Sequence, residues 1–186
     1  TMLAPPELRE VHPLGKSPVI TYEGQNIAES GAIIEFVLDE LGEGRLRPER
    51  GTDEFQRYRY WMHYAEGSAM TPFLLKLIFG RIPGEVPFLV RPVASLISKG
   101  VSREFVDPQI RNHMDFWEDE LSKTTYFAGE EFTAADIQMS FALEASMVRS
   151  ANPGKYPKIH AMVDRLRGRE AHKRAIERGG EFSLGA

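Results

Sequence analysis

The segment His12-Pro13-Leu14-Gly15-Lys16-Ser17-Pro18-Val19-Ile20, followed by Ala28-Glu29-Ser30-Gly31-Ala32-Ile33, constrains the fold of this chain most. Proline carries no N–H, so a strand entered at Pro18 belongs at an edge or at its own first residue. Pro18 to Tyr22 reads as that strand, with β-branched side chains at Val19, Ile20 and Thr21. Glu23-Gly24-Gln25-Asn26 is turn chemistry, and Ile27-Ala28 is a brief return. From Ser30 the apolar residues Ile33, Ile34, Val37, Leu38 and Leu41 fall at helical spacing until Gly42 stops them. Pro6 to Val11 suits a short helix ahead of this unit.

Composition changes after Leu41. Residues 42 to 52 hold three glycines, one proline and mostly charged side chains, and read as an interdomain linker. Beyond it every segment has helical periodicity. Phe55, Tyr58, Met62, Ala65, Ala69, Phe73 and Leu77 trace one stripe down a long helix. Gly80 to Gly84 is expected to break that helix, and Val86 to Ile97 to form a further apolar helical piece. Phe105 to Leu121, Ala134 to Arg149, Pro157 to Arg167 and Glu170 to Arg178 complete a bundle, with the apolar 134–149 segment at its centre. The predicted fold is therefore α/β followed by all-α, with domains at 1–42 and 53–186 joined by a linker at 43–52.

Phe132-Thr133-Ala134-Ala135-Asp136-Ile137 is a strong local signature. Thr133 is the N-cap and Asp136, three residues on, completes a capping box with a shorter acid than the usual Glu. Phe132 and Ile137 are placed to form the hydrophobic staple. Asp136 is read as structural.

Net charge is −4 and no block is strongly basic, which argues against a nucleic-acid footprint. The chain has no cysteine, hence no disulfide, thiolate metal site or cysteine nucleophile within it. That absence fits a reducing, cytoplasmic setting. No apolar run approaches the ~20 residues of a membrane span, and nothing in the sequence suggests a metal site.

Chemistry concentrates between Lys16 and Ser30. An X-Pro bond at Ser17-Pro18 in the cis form turns the Ser17 carbonyl and amide away from the sheet; a trans proline opening an edge strand is the ordinary alternative. Ser30 at a helix start favours an anion, and otherwise is a plain N-cap. Glu29 can accept from an ammonium, or simply favour the helix start. Lys16 can pair with a carboxylate, or be a solvated lysine. Each is weak singly, but the ordered set matches an extended peptide with two carboxylates, an ammonium and free backbone groups.

This set resembles the glutathione transferase family. Its members share an Asn/His-Pro-x-Gly-Lys/Gln-x-Pro segment with a cis-proline, then Glu/Gln-Ser opening the next helix. Here these are His12 to Pro18 and Glu29-Ser30. The linker, the helical bundle and the capped helix at Phe132 to Ile137 agree, so the resemblance spans nearly the whole chain. The long first bundle helix with Trp61 to Gly67, and the segment around Pro83 to Gly100, are similar to a bacterial and fungal subgroup.

The resemblance implies a partial thioredoxin-like N-terminal domain and a helical C-terminal domain. It implies that Ser17 pairs with the cysteinyl part of glutathione, that Pro18 is cis, that Glu29 and Ser30 hold the γ-glutamyl end, and that Lys16 holds the glycine carboxylate. His12 stands where the family more often has Asn, and a loop-stabilising role is expected. His63, Glu66, Gly67 and Met70 are candidates for the electrophile pocket. The thiol-activating Tyr, Ser or Cys is expected upstream of Thr1, in a strand–helix–strand unit of roughly 35–45 residues, so this chain alone is expected to be inactive. The implied function is conjugation of the glutathione thiol to small hydrophobic electrophiles, or hydroperoxide reduction, in a detoxifying homodimer. A non-catalytic binding or regulatory module of the same fold is the alternative.

Overall fold

The computed structural model describes residues 6–150 and 153–180; the ends of the two expected domains, 1–5 and 181–186, lie outside them. A short helix α1 (Leu8–Val11) leads into a hairpin of β1 (Val19–Tyr22) and β2 (Gln25–Ala28). The strands are antiparallel, with Val19 opposite Ala28 and Tyr22 opposite Gln25. The turn holds only Glu23 and Gly24, both at positive φ (47° and 81°), so β2 starts two residues earlier than the sequence suggests. Two left-handed residues match the twist of the flanking strands.

Helix α2 (Ser30–Phe36) follows, and the chain winds on through a wider π turn, Val37–Leu41. Phe36 meets Tyr22 edge to face with centroids 5.3 Å apart, which seats the helix on the hairpin. Of the apolar stripe expected here, Leu38 is buried while Val37 and Leu41 stay exposed. The π turn rotates the stripe, so its last members no longer share one face.

The 42–52 segment is anchored to the bundle. Leu46, at φ 64°, presents its carbonyl to the Ala134 N–H at 2.8 Å. Arg47 pairs with Asp39 at 2.5 Å. This ties the linker to both the preceding helical turn and the start of the central helix.

Helix α3 (Asp53–Tyr64) is capped by the Thr52 hydroxyl, which accepts from the Phe55 N–H at 3.2 Å. It continues through a π turn (Ala65–Ala69) into α4 (Met70–Glu85). Tyr58, Met62, Ala65, Ala69 and Phe73 are all buried, as the stripe requires. The expected break at Gly80 to Gly84 does not occur, and Pro83 lies inside α4. The neighbouring helix supplies what the proline lacks: the Ser98 hydroxyl donates to the Phe79 carbonyl, the group four residues before Pro83.

The expected helical piece at Val86 to Ile97 is divided. Residues 86–90 form a reverse turn, with the Val90 N–H on the Pro87 carbonyl at 3.0 Å. Helix α5 (Arg91–Val101) begins after it, with Pro92 in the first turn, where no intrahelical donor is needed. A π turn (Ser102–Val106) joins α5 to α6 (Asp107–Lys123), so no break falls at Gly100. Then come α7 (Ala134–Arg149), α8 (Pro157–Arg167) and α9 (Glu170–Gly179).

Helix α7 is central. It packs against α3, α4 and α8. Trp61, Trp117, Phe73, Phe127, Met114, Met139 and Leu143 fill the core of the bundle. Trp61 and Phe127 have centroids 4.4 Å apart, and Trp61 stacks on Phe116 at 5.4 Å. These large apolar side chains dominate the burial that stabilises the bundle.

Candidate functional site

The loop between α1 and β1 is fixed from three directions. His12 accepts at Nδ1 from the Leu14 N–H at 3.4 Å, and its carbonyl accepts from the Gly15 N–H at 2.8 Å. Gly15 is buried at φ 56°, and a Cβ there would stand 2.7 Å from Arg9 Cγ. Asn26 of β2 donates to the Val11 carbonyl at 2.6 Å and accepts from the Thr21 hydroxyl at 2.7 Å. His12 thus acts within the loop.

With the loop pinned at His12, Gly15 and Val11, the residues Lys16, Ser17 and Pro18 stand exposed at the start of β1. The Ser17–Pro18 peptide bond is cis. Among the described strands β1 pairs with β2 alone.

Glu29 links β2 to α2 at φ 73° and ψ 125°, a conformation that costs a non-glycine residue of order 1–3 kcal/mol and clusters at ligand sites. It turns the chain so that Ser30 opens the helix, with the Ile33 N–H on the Glu29 carbonyl at 2.9 Å. The Glu29 side chain is exposed and Ser30 is half-buried. Backbone N–H groups left over at a helix start favour an anion.

A residue not anticipated from sequence stands at this end. Gln138, buried on α7, places Nε2 within 3.9 Å of where a Cβ on Gly31 would stand. The same nitrogen donates to Glu66 Oε1 at 3.3 Å. Its signal in the sequence is a long amide side chain between Ile137 and Met139, one turn into α7. Glu66 is thereby drawn toward the start of α2.

The other pocket candidates run from the end of α3, through the π turn, to the first residue of α4. His63 is exposed and lines two clefts, one with Arg59, Tyr60, Tyr64 and His113, the other with Glu35, Asp39 and Tyr58. Gly67 is exposed, and Met70 packs partly against the core. Neither cleft gathers His63 together with Glu66, Gly67 and Met70.

At the base of the first cleft, Trp117 Nε1–H donates to Tyr64 Oη at 3.1 Å, and Tyr64 bonds to His113 Nδ1. Burial pushes the Tyr64 phenol up to about 12 and holds His113 below its usual range. A neutral His113 accepts at Nδ1, so Tyr64 donates to it.

Asp136 is fully buried at the start of α7. It accepts from the Thr133 N–H (2.8 Å), the Thr133 hydroxyl (3.2 Å) and the Phe127 N–H (3.0 Å). The expected staple is altered: Ile137 is 42% exposed, and Phe132 instead meets Tyr126 edge to face and lies under the Arg169 guanidinium. Among the described residues no cluster of His, Cys, Asp or Glu is arranged to hold a metal ion, and no helix is long and apolar enough to cross a membrane.

Comparison with known proteins agrees with this architecture. Residues 94–170 match the family model for the glutathione S-transferase C-terminal domain. Glutathione S-transferase 1 of Saccharomyces cerevisiae is 29% identical over 184 residues, covering 94% of this chain and 79% of that protein. Glutathione S-transferase 3 of Schizosaccharomyces pombe is 29% identical over 94% of this chain and 72% of its own length. The crystal structure of a glutathione S-transferase from Actinobacillus pleuropneumoniae superposes with a TM-score of 0.73 at 27% identity, over 94% of this chain and 74% of that one. A sphingomonad glutathione S-transferase complexed with glutathione shares the fold, with a TM-score of 0.71 at 22% identity over 94% and 79% of the two chains. The hairpin, the serine-opened helix and the capped bundle are those of a transferase-type fold: part of a thioredoxin-like domain followed by a helical domain. The chain is thus similar to glutathione transferases over 94% of its length, and its residues 94–170 match their C-terminal domain.

Proposed function

We propose that this protein binds glutathione between the start of β1 and the start of α2, and conjugates it through its thiol sulfur to small hydrophobic electrophiles, whose leaving group departs as the sulfur–carbon bond forms. The single observation that carries the reading is the Glu29–Ser30 turn. A non-glycine residue is held at φ 73° there so that a serine and its amides open a helix that packs against β1.

Glutathione needs a strand to pair with, donors for two carboxylates and an acceptor for one ammonium. The Ser17 backbone pairs with its cysteinyl unit. The Ser30 hydroxyl and the helix-start amides take the γ-glutamyl carboxylate. Glu29 takes the ammonium, with Glu66 presented to the same end through Gln138. Lys16 takes the glycine carboxylate.

The chemistry follows from the thiol. Free, it ionises near ~8.5 and is mostly protonated at neutral pH. A hydrogen bond donated to the thiolate that lowers this by about two units corresponds to ~2.7 kcal/mol of selective stabilisation. The residues assigned here contribute position, holding the sulfur beside the electrophile so that attack becomes effectively intramolecular. The protein acts as a cytoplasmic homodimer, with the long first bundle helix and the strand–helix unit packing across a two-fold axis.

Isothermal titration with reduced glutathione, alongside turnover of a chloro-dinitro aromatic, tests the reading. Ser30→Ala should weaken binding by about 1.5–3 kcal/mol, the scale of a hydrogen bond to a charged group. Unchanged affinity in that variant rejects the site. Normal binding without turnover by the full-length protein identifies a glutathione-binding module rather than a transferase.

A further inference from the structure

The far end of the bundle, where α4 turns into α5, bears side chains that the glutathione reading does not use. Leu89 is 77% exposed, and Phe88 and Leu96 are each 74% exposed. No other large hydrophobic among the described residues is as open. Val90, Val93 and Ile97 are exposed beside them.

Their arrangement is orderly. Helix α5 lies against α4 through a small-residue face, with Ser98 buried and Ala94 half-buried. Val93, Leu96 and Ile97, at spacings of three and four, then fall on the opposite side. Phe88 and Leu89 extend this stripe across the reverse turn at the tip. The helix therefore buries its small polar side and exposes its large apolar side, the inverse of an ordinary surface helix.

Charge at this end also runs against the rest of the molecule. The whole chain carries −4, yet from Arg81 to Glu104 the cations Arg81, Arg91, Lys99 and Arg103 accompany only two acids, Glu85 and Glu104. Arg91, Lys99 and Arg103 lie along or just beyond α5, beside its apolar stripe. Arg103 pairs with Glu104 at 2.7 Å, but both are so exposed that the pair is easily exchanged. Arg149, at the end of α7, comes close enough to Arg81 to feel its charge, which adds a further cation at this end of the bundle.

A protruding apolar tip rimmed by cations fits a surface that is greasy inside and anionic at its border. We propose that the 86–90 turn and the outer face of α5 dock this protein on the anionic headgroup layer of a lipid bilayer, with Phe88, Leu89 and Leu96 entering the acyl boundary. This is peripheral attachment in the interface plane. Arg91, Lys99 and Arg103 supply attraction to acidic lipids, which salt screens. Docking leaves the Ser30 helix start, which lies by the first turns of α7, away from the bilayer.

The proposal is tested by sedimentation of the protein with phosphatidylcholine vesicles and with vesicles containing phosphatidylglycerol. A Phe88→Trp variant serves as reporter, because Trp61 and Trp117 are buried and contribute a constant background. The expected result is a blue shift in the emission of the introduced indole and co-sedimentation with anionic vesicles only, weakened by high salt. Lys99→Glu should lower vesicle affinity at least about fivefold, the factor for one cation at an anionic surface. Leu89→Glu with Leu96→Glu should abolish binding while glutathione affinity and the thermal midpoint hold, since both side chains are solvent-exposed. No binding to anionic vesicles at low salt overturns the proposal, as does binding that these substitutions leave unchanged. A fall in oligomer mass on Leu96→Glu, seen by light scattering, also overturns it, because the stripe would then be covered by a second copy of the chain.

Discussion

The hydroxyl of Ser98 donates to the carbonyl of Phe79, the one acceptor that Pro83 strips of its helical partner. In a regular helix that carbonyl receives the N–H of residue 83, and a proline has none. The donor comes instead from the facing helix. This lets α4 run to Glu85 and carry the turn at Phe88 clear of the bundle.

Ser98→Ala should therefore destabilise the protein by roughly 1–2 kcal/mol, the cost of a half-buried carbonyl left unsatisfied. Pro83→Ala restores the internal donor, so the Ser98→Ala penalty should shrink in that background. Urea midpoints for the two single variants and the double variant measure the coupling. Strict additivity would falsify the compensation.

Asp136 serves two amides and one hydroxyl that water cannot reach. Asp136→Ala orphans the Thr133 and Phe127 N–H groups at about 1–3 kcal/mol each, so a total loss of roughly 3 kcal/mol or more is expected. Asp136→Asn retains one good acceptor and should cost less. Burial raises the Asp136 carboxyl above its ordinary 3.8, although its hydrogen bonds pull the other way. A raised carboxyl favours the native state most below 3.8, and that advantage fades as pH climbs through the raised value. The stability difference between the native protein and Asp136→Asn, measured by denaturant titration from acidic to neutral pH, should carry this slope. A pH-independent difference counts against it.

Tyr64 sits between the Trp117 indole and His113. Tyr64→Phe leaves the buried indole N–H without an acceptor and should cost about 1–3 kcal/mol. His113 is held below its ordinary 6.5 by burial, so the native state disfavours its charged form. The resulting stability is complete above 6.5 and is lost as pH falls through the lowered value. His113→Asn should flatten that part of the profile. Thermal midpoints between mildly acidic and neutral pH decide it, and an unchanged slope in the variant rejects the coupling.

Much of the architecture was legible because it rests on local physics. The α3–α4 stripe from Phe55 to Phe73, the opening of α7 at Thr133 and the β1 start after Pro18 follow from periodicity, capping and the missing proline donor. The misreadings have different causes. Gly80, Pro83 and Gly84 are helix breakers by local rules, and only the Ser98 hydroxyl from another element reverses the outcome. Val86 to Ile97 is rich in apolar residues, so its composition hid a turn at Pro87. The Phe132 ring meets Tyr126 and lies under the Arg169 guanidinium, and the second of these contacts comes from a segment far along the chain.

The candidate site divides in the same way. Lys16, Ser17, Glu29 and Ser30 could be named from sequence because they lie within one short stretch. Gln138 and Glu66 meet near the start of α2 only because α7 packs against the helix that follows the linker, a matter of contact between segments distant in sequence. The chain's letters alone settled where α2, α7, α8 and α9 begin, since capping and apolar spacing act over a few residues. Which helix continues through a proline, which polar side chains converge on one helix start and which apolar face is left to solvent were decided by the tertiary structure. Each of those depends on a hydrogen bond or contact supplied by a segment that folds elsewhere and arrives only when the bundle closes.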